Sequence, residues 1–141
     1  MSTEENKALV RRAIEDLNQG NFGEADEYFT PNFVYHDAAN PHVHSREEYK
    51  QFLTNMQASL SGQFTIEDLI AEGDQVAVRL TLRGTHTSDL VTVMHIPATG
   101  KQVTESIIAV IRFASGKAVE AWNQADTLGF LQQLSLIPAP G

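Results

Sequence analysis

The sequence predicts an α+β domain in which helices come first and an antiparallel meander follows. Two observations carry that expectation. Up to about residue 60 apolar residues recur at the three- and four-residue spacing of a helix, and from Gln63 onward they recur at every second position. Because the two periods are segregated along the chain, the helices are expected on one face of a curved, mainly antiparallel sheet.

The elements follow in order. Ser2 with Glu5 forms a capping box, and Val10, Ala13, Ile14 and Leu17 make one apolar stripe, so a first helix runs to about Gln19. Gly20 and Asn21 break it. Phe22, Ala25 and Phe29 predict a short second helix that Pro31 stops, since proline disfavours the helical conformation in the residue before it. FVYHD, residues 33–37, reads as a strand. Ser45 with Glu48 opens a third helix carrying Tyr49, Phe52, Leu53, Met56 and Leu60 on one face, and Gly62 ends it. A strand from Gln63 turns at Glu72, Gly73 and Asp74 into a second, in which Val76, Val78, Leu80 and Leu82 share a side. If that strand persists past Gly84, His86 lies on the apolar side. Strands over 103–113 and 117–125 are joined by Ser115 and Gly116, and a last short helix starts at Thr127.

With 141 residues, 42% of them apolar and 8% aromatic, the chain can bury one real core but not two comfortable ones. Residues 1–136 are expected to form one domain and 137–141, IPAPG, a short tail. No apolar run is long enough to span a bilayer, and MSTEENKALVRR lacks a basic region followed by an apolar one, so a soluble cytoplasmic protein is expected. The absence of cysteine removes disulfides, thiolate metal sites and thiol nucleophiles together. A net charge of -8 without any basic run argues against a nucleic-acid partner.

Histidines and carboxylates are left to carry chemistry. In VEAWNQADTLGFLQQL the alternation puts Glu120, Trp122, Gln124 and Asp126 on one strand face and Val119, Ala121, Asn123 and Ala125 on the other. A carboxylate beside a large ring in a pocket loses water and becomes a usable proton acceptor, which makes Asp126 a candidate base. Aspartate is equally a preferred N-cap for the helix that starts at Thr127, so both readings stand at this point. HDAANPHVH holds His36, Asp37, His42 and His44, but its proline-containing loop does not fix the register a metal site needs, and solvated histidines are expected. His36 follows Phe33 and Tyr35 in a strand and is expected to be partly buried. His86 in RGTHT reads as a core histidine, a cavity acid or a turn residue. Arg79, Arg83 and Arg112 read as sheet-surface charges. No phosphate-binding glycine loop, nucleophile elbow or HExxH occurs.

Four stretches, FVYHD, AEGDQVAVRLTLRGTHT, IPATGKQVTES and IRFASGKAVEAWNQADTLGFLQQLSLIP, together resemble the SnoaL-like polyketide cyclase or ester cyclase group of the nuclear transport factor 2-like superfamily. The resemblance implies a cone-shaped barrel in which N-terminal helices close a strongly curved sheet around a deep apolar pocket, commonly as a homodimer through the sheets. It implies a cofactor-free intramolecular aldol condensation of a hydrophobic oxygenated small molecule, with no catalytic metal, because the substrate's own carbonyls delocalise the carbanion. Asp126 falls on the aspartate of the tryptophan-x-x-x-aspartate motif and would remove the methylene proton. Trp122 would wall the pocket with Tyr35, while His36 and His86 would orient or protonate substrate oxygens. The connection SDLVTVMHI, residues 88–96, is longer than the family's usual glycine-containing one and would bring Met94 and His95 to the pocket mouth. The alternative is a noncatalytic ligand-binding or dimerisation module built on the same cavity.

Overall fold

The structure is a computed structural model that describes residues 2–91 and 95–138, the side chains of 23–25 excepted. Helix α1, Thr3–Asn18, starts at the expected capping box, with the Ser2 hydroxyl accepting from Glu5 N–H and the Glu5 carboxylate accepting from Ser2 N–H. A short 3-10 helix, Phe22–Glu27, follows. Strand β1, Phe29–His36, begins earlier than the sequence pattern implies and takes in both Phe29 and Pro31. The reason is positional: β1 is an edge strand, where a missing backbone N–H costs no ladder hydrogen bond.

Helix α2, Arg46–Ser59, repeats the capping box with Ser45 and Glu48. Then come β2, Gln63–Glu72, and β3, Gln75–Thr85, paired antiparallel across the expected turn. Gly84, near the end of β3, lies against the end of α2. A Cβ at that position would run into the Leu60 carbonyl oxygen, which itself accepts from Thr85 N–H at 2.6 Å. The glycine of GTHT is therefore a contact requirement. The long connection contains a small hairpin, β4, Leu90–Val91, and β5, His95–Ile96, which the sequence pattern does not signal. Strands β6, Gln102–Ala114, and β7, Lys117–Ala125, and helix α3, Thr127–Gln133, complete the chain.

The main sheet runs β1-β7-β6-β3-β2, antiparallel except that β1 lies parallel to β7. It is a curved mixed sheet with the helices on its concave side, an α+β fold. Between α2 and β1 the core is aromatic: Phe29 meets Phe33 at 4.8 Å and Tyr49 at 5.6 Å between ring centroids, both edge-on, and Tyr35 meets Tyr49 at 4.4 Å. Past the last β6–β7 rung, Gln133 continues the ladder with its side chain. Its amide accepts from Thr104 N–H and donates to Thr104 C=O, both at 2.7 Å, fastening α3 over β6. Among the described residues no helix is long and apolar enough to cross a membrane.

Candidate active site

Helices and sheet enclose a cavity of about 170 Å³. Its walls come from Val10, Ala13 and Leu17 of α1, Tyr49, Phe52 and Met56 of α2, Leu80, Ile107 and Ala109 of the sheet, and Phe130 and Leu131 of α3. The long connection contributes Leu90 and Ile96, both buried, so the hairpin is a piece of the wall. Exposed Ala39 marks the mouth.

One end of this apolar space is polar. Tyr35 points inward from β1, and just beyond the strand Asp37 gathers four donors. Tyr35 Oη donates to its carboxylate at 3.0 Å, Ala39 N–H at 3.0 Å, Asn40 Nδ2 at 3.1 Å and Asn123 Nδ2, from β7, at 3.4 Å. Opposite them Glu105 points inward from β6, between Val103 and Ile107 on the same face, and is only 7% exposed. Its carboxyl has no hydrogen-bond partner among the described residues. Burial first, and then the charges of Asp37 and Asp126, push the Glu105 carboxyl up to about 7. Burial also drives the Tyr35 hydroxyl far above its usual range, with Tyr49 and Asp37 adding to it, so Tyr35 stays a hydrogen-bond donor. Among the described lining residues Asp37 and Glu105 are the only charged types.

The residues singled out from sequence are placed differently. The alternation along β7 holds, yet the inward face is Ala121, Asn123 and Ala125, and the outward one carries Trp122, which is 38% exposed. These small inward side chains leave the space beneath β7 to the cavity. In the parallel pairing of β1 with β7, His36 sits opposite Trp122. The two rings stack at 5.5 Å on the outer sheet surface, and His36 Nε2 lies 2.7 Å from Glu120, which also meets Arg112 at 3.1 Å. These two hydrogen bonds, from His36 and then Arg112, hold the Glu120 carboxyl below its ordinary value. Neither Trp122 nor His36 reaches the cavity.

His86 is fully buried but lies off the cavity wall. Its Nδ1 accepts from Thr99 N–H at 3.2 Å and lies 3.0 Å from the Thr99 hydroxyl, while its backbone C=O and N–H bond Gly100 and Lys101. It thereby pins the PATGK turn to the end of β3. Asp126 is the N-cap of α3: Oδ1 accepts from Gly129 N–H at 3.0 Å, and a Cβ at Gly129 would strike the same carboxylate, which explains the glycine of DTLG. The Asp126 side chain is exposed and lies at the rim rather than on the wall, near enough for its charge to act on Glu105. His42 and His44 are exposed in their loop, and among the described residues no cluster suited to a metal ion occurs. Met94 lies outside the described residues. Glu105 and Asn123 are the site residues that sequence reasoning missed, although the alternation of Val103, Glu105 and Ile107 already puts a carboxylate on an apolar strand face.

Comparison with known proteins agrees with this architecture. The family model described as SnoaL-like polyketide cyclase matches residues 8–134. Aklanonic acid methyl ester cyclase DnrD of Streptomyces peucetius is 30% identical over 133 residues, covering 89% of this chain and 88% of that protein. DauD of Streptomyces sp. strain C5, an enzyme of the same name, is also 30% identical and is covered over 79% of its length. Among solved structures, IdmH of Streptomyces antibioticus superposes with a TM-score of 0.75 at 27% identity, over 92% of this chain and 98% of that one. AclR of Streptomyces galilaeus, a proposed hydroxylase, shares the fold with a TM-score of 0.86 at 24% identity, over 99% of this chain and 87% of that one.

Proposed function

The chain belongs to the SnoaL-like polyketide cyclase family, and from that premise we propose that it is a cofactor-independent acid–base cyclase, closing a ring in a hydrophobic oxygenated small molecule by intramolecular aldol condensation. The observation that carries the reading is the cavity itself: apolar walls ending in a pole where Asp37 and Glu105 are the only charged types among the described lining residues. Low dielectric strengthens proton transfer and hydrogen bonding at such a pole, and an enolate flanked by its own carbonyls needs no further electron sink.

Asp126 is assigned the removal of the methylene proton. Support comes from its rim position and from a cap that uses Oδ1 alone, leaving Oδ2 uncommitted among the described residues. The carbon so formed attacks a carbonyl carbon of the same molecule, and the resulting alkoxide is protonated within the cavity. An enclosed space of about 170 Å³ is close to what holds a single aromatic ring, so the ring-forming end enters and the remainder leaves past Ala39. The outer sheet face, where Val34, Ile108 and Trp122 are exposed, is assigned to pairing with a second copy of the chain.

The test uses aklanonic acid methyl ester, the compound in the relatives' names. Conversion to an isomer of unchanged mass, followed by chromatography and mass spectrometry, is the expected result. Tight binding of the ester without any isomer formed would replace the cyclase by the noncatalytic binding module.

A further inference from the structure

We propose that Glu105 is the proton-transferring catalytic residue of the cavity, the group that protonates the nascent alkoxide. The assignment deepens the cyclase reading and rests on it for the identity of the reaction, but not for the chemistry of the residue.

Glu105 differs from its neighbours in its uncommitted hydrogen-bonding capacity. At the polar pole, Asp37 is already engaged by Tyr35, Ala39, Asn40 and Asn123. Glu105 faces the same space from β6, buried between Val103 and Ile107, with no partner among the described residues. A buried carboxyl without a partner is costly, and a ligand carbonyl or alkoxide oxygen is the kind of acceptor its O–H lacks. The charged groups that act on it come from two places, Asp37 in the loop behind β1 and Asp126 at the start of α3, while Tyr35 of β1 is near enough to feel the charge of Glu105 in turn. Tyr49 of α2 stands beyond Asp37, whereas Leu82, the β3 residue paired with Glu105, and the α1 residues on the wall are apolar. Burial and the two acidic neighbours hold the carboxyl near 7, so acid and carboxylate are both populated at neutral pH.

The step balances without a co-reactant. Asp126 takes the methylene proton, and the C–H electron pair becomes the enolate. The enolate carbon bonds to the carbonyl carbon, the π pair of that carbonyl moves onto oxygen, and this oxygen takes the proton from Glu105. Glu105, now a carboxylate, recovers a proton from Asp126 through solvent, and the net change is an isomerisation.

The experiment uses a nitrobenzisoxazole, a small planar probe whose ring opening needs only a base. A carboxylate removes its C–H proton, the C–H pair forms the nitrile, and the N–O bond breaks with its pair going onto oxygen, so that the ring opens to a single coloured cyanonitrophenolate. In the unaltered protein the rate should rise with pH around a midpoint near 7. Glu105→Gln should lower the rate at least roughly tenfold and abolish the midpoint, within the range for loss of a positioned proton acceptor. Asp37→Asn removes a negative neighbour of Glu105 and should lower the midpoint. Glu105→Leu serves if the glutamine variant does not fold. A rate at the buffer level in the unaltered protein, or an unchanged rate and midpoint in Glu105→Gln, overturns the proposal. Failure of the ester assay alone would remove the cyclase reading and leave this assignment standing.

Discussion

Glu105 makes stability depend on pH in a direction opposite to most carboxylates, and the size of that dependence follows from its surroundings. Its carboxyl rises from an ordinary 4.5 to about 7 on folding. At ~1.4 kcal/mol per pH unit this gap corresponds to about 3 kcal/mol. The sign is fixed by which state holds the proton. Below the ordinary value both states are protonated and nothing is lost. Between the two values the unfolded chain ionises while the folded one does not, so stability falls as pH rises, and above the folded value the loss is complete. From about pH 5.5 to about pH 8 the expected loss from Glu105 alone is about 2 kcal/mol. Carboxylates whose values are depressed, such as Glu5, Glu48 and Asp89, lose their contribution only in more acidic solution and stay out of this window. Glu105→Gln keeps the shape and removes the titration. Urea unfolding at the two pH values, for both proteins, should show the unaltered chain losing about 2 kcal/mol more than the variant. An equal pH slope in the two proteins would show that Glu105 is not held protonated in the folded state, and the reasoning from burial would be refuted.

Three further outcomes are expected. Asp126→Asn keeps an oxygen for Gly129 N–H and should change stability by under about 0.5 kcal/mol, whereas Asp126→Ala should cost about 1 kcal/mol; ester turnover, measured alongside, should collapse in both, and near-normal turnover in the Asn variant would reduce Asp126 to a cap. Sedimentation at micromolar concentration should give a dimer that Trp122→Asp converts to monomer, with a monomeric parent removing the outer face from consideration. Gly84→Ala forces a methyl group against the Leu60 carbonyl and should cost about 1–3 kcal/mol in thermal or urea unfolding, as overpacked sites do; an unchanged midpoint would mean that α2 shifts freely.

How much of this was legible in the sequence depended on the range of the interaction. Both capping boxes, the turn at Gly73 and the limits of β7 are local, and each was readable within a few residues. The alternation along β7 was equally legible, but alternation separates two faces without saying which is inside. Tryptophan's apolar bulk argues for the inner one, yet the inner face lines the cavity with Ala121, Asn123 and Ala125, and Trp122 stacks on His36 outside. Phe29 fits a helix by its spacing from Ala25, while the edge position that lets Pro31 sit in a strand is set by β7, far along the chain. Glu105 escaped notice for a related reason: its meaning comes from Asp37 and Asp126, neither of them near it in sequence.

The hydrogen bond from Asn123 to Asp37 joins residues 86 positions apart, and β1 reaches its neighbour in the sheet, β7, over a similar span. Contacts of that range are the slowest to form, because the entropy of closing so long a loop must be met before they return anything. During synthesis α1, α2 and the β2–β3 hairpin are complete while the carrier of Asn123 has yet to emerge. The reactive end of the molecule is therefore the last part to be assembled. A chain cut short before its seventh strand would hold an apolar interior and Glu105, but no ordered acid pole facing it.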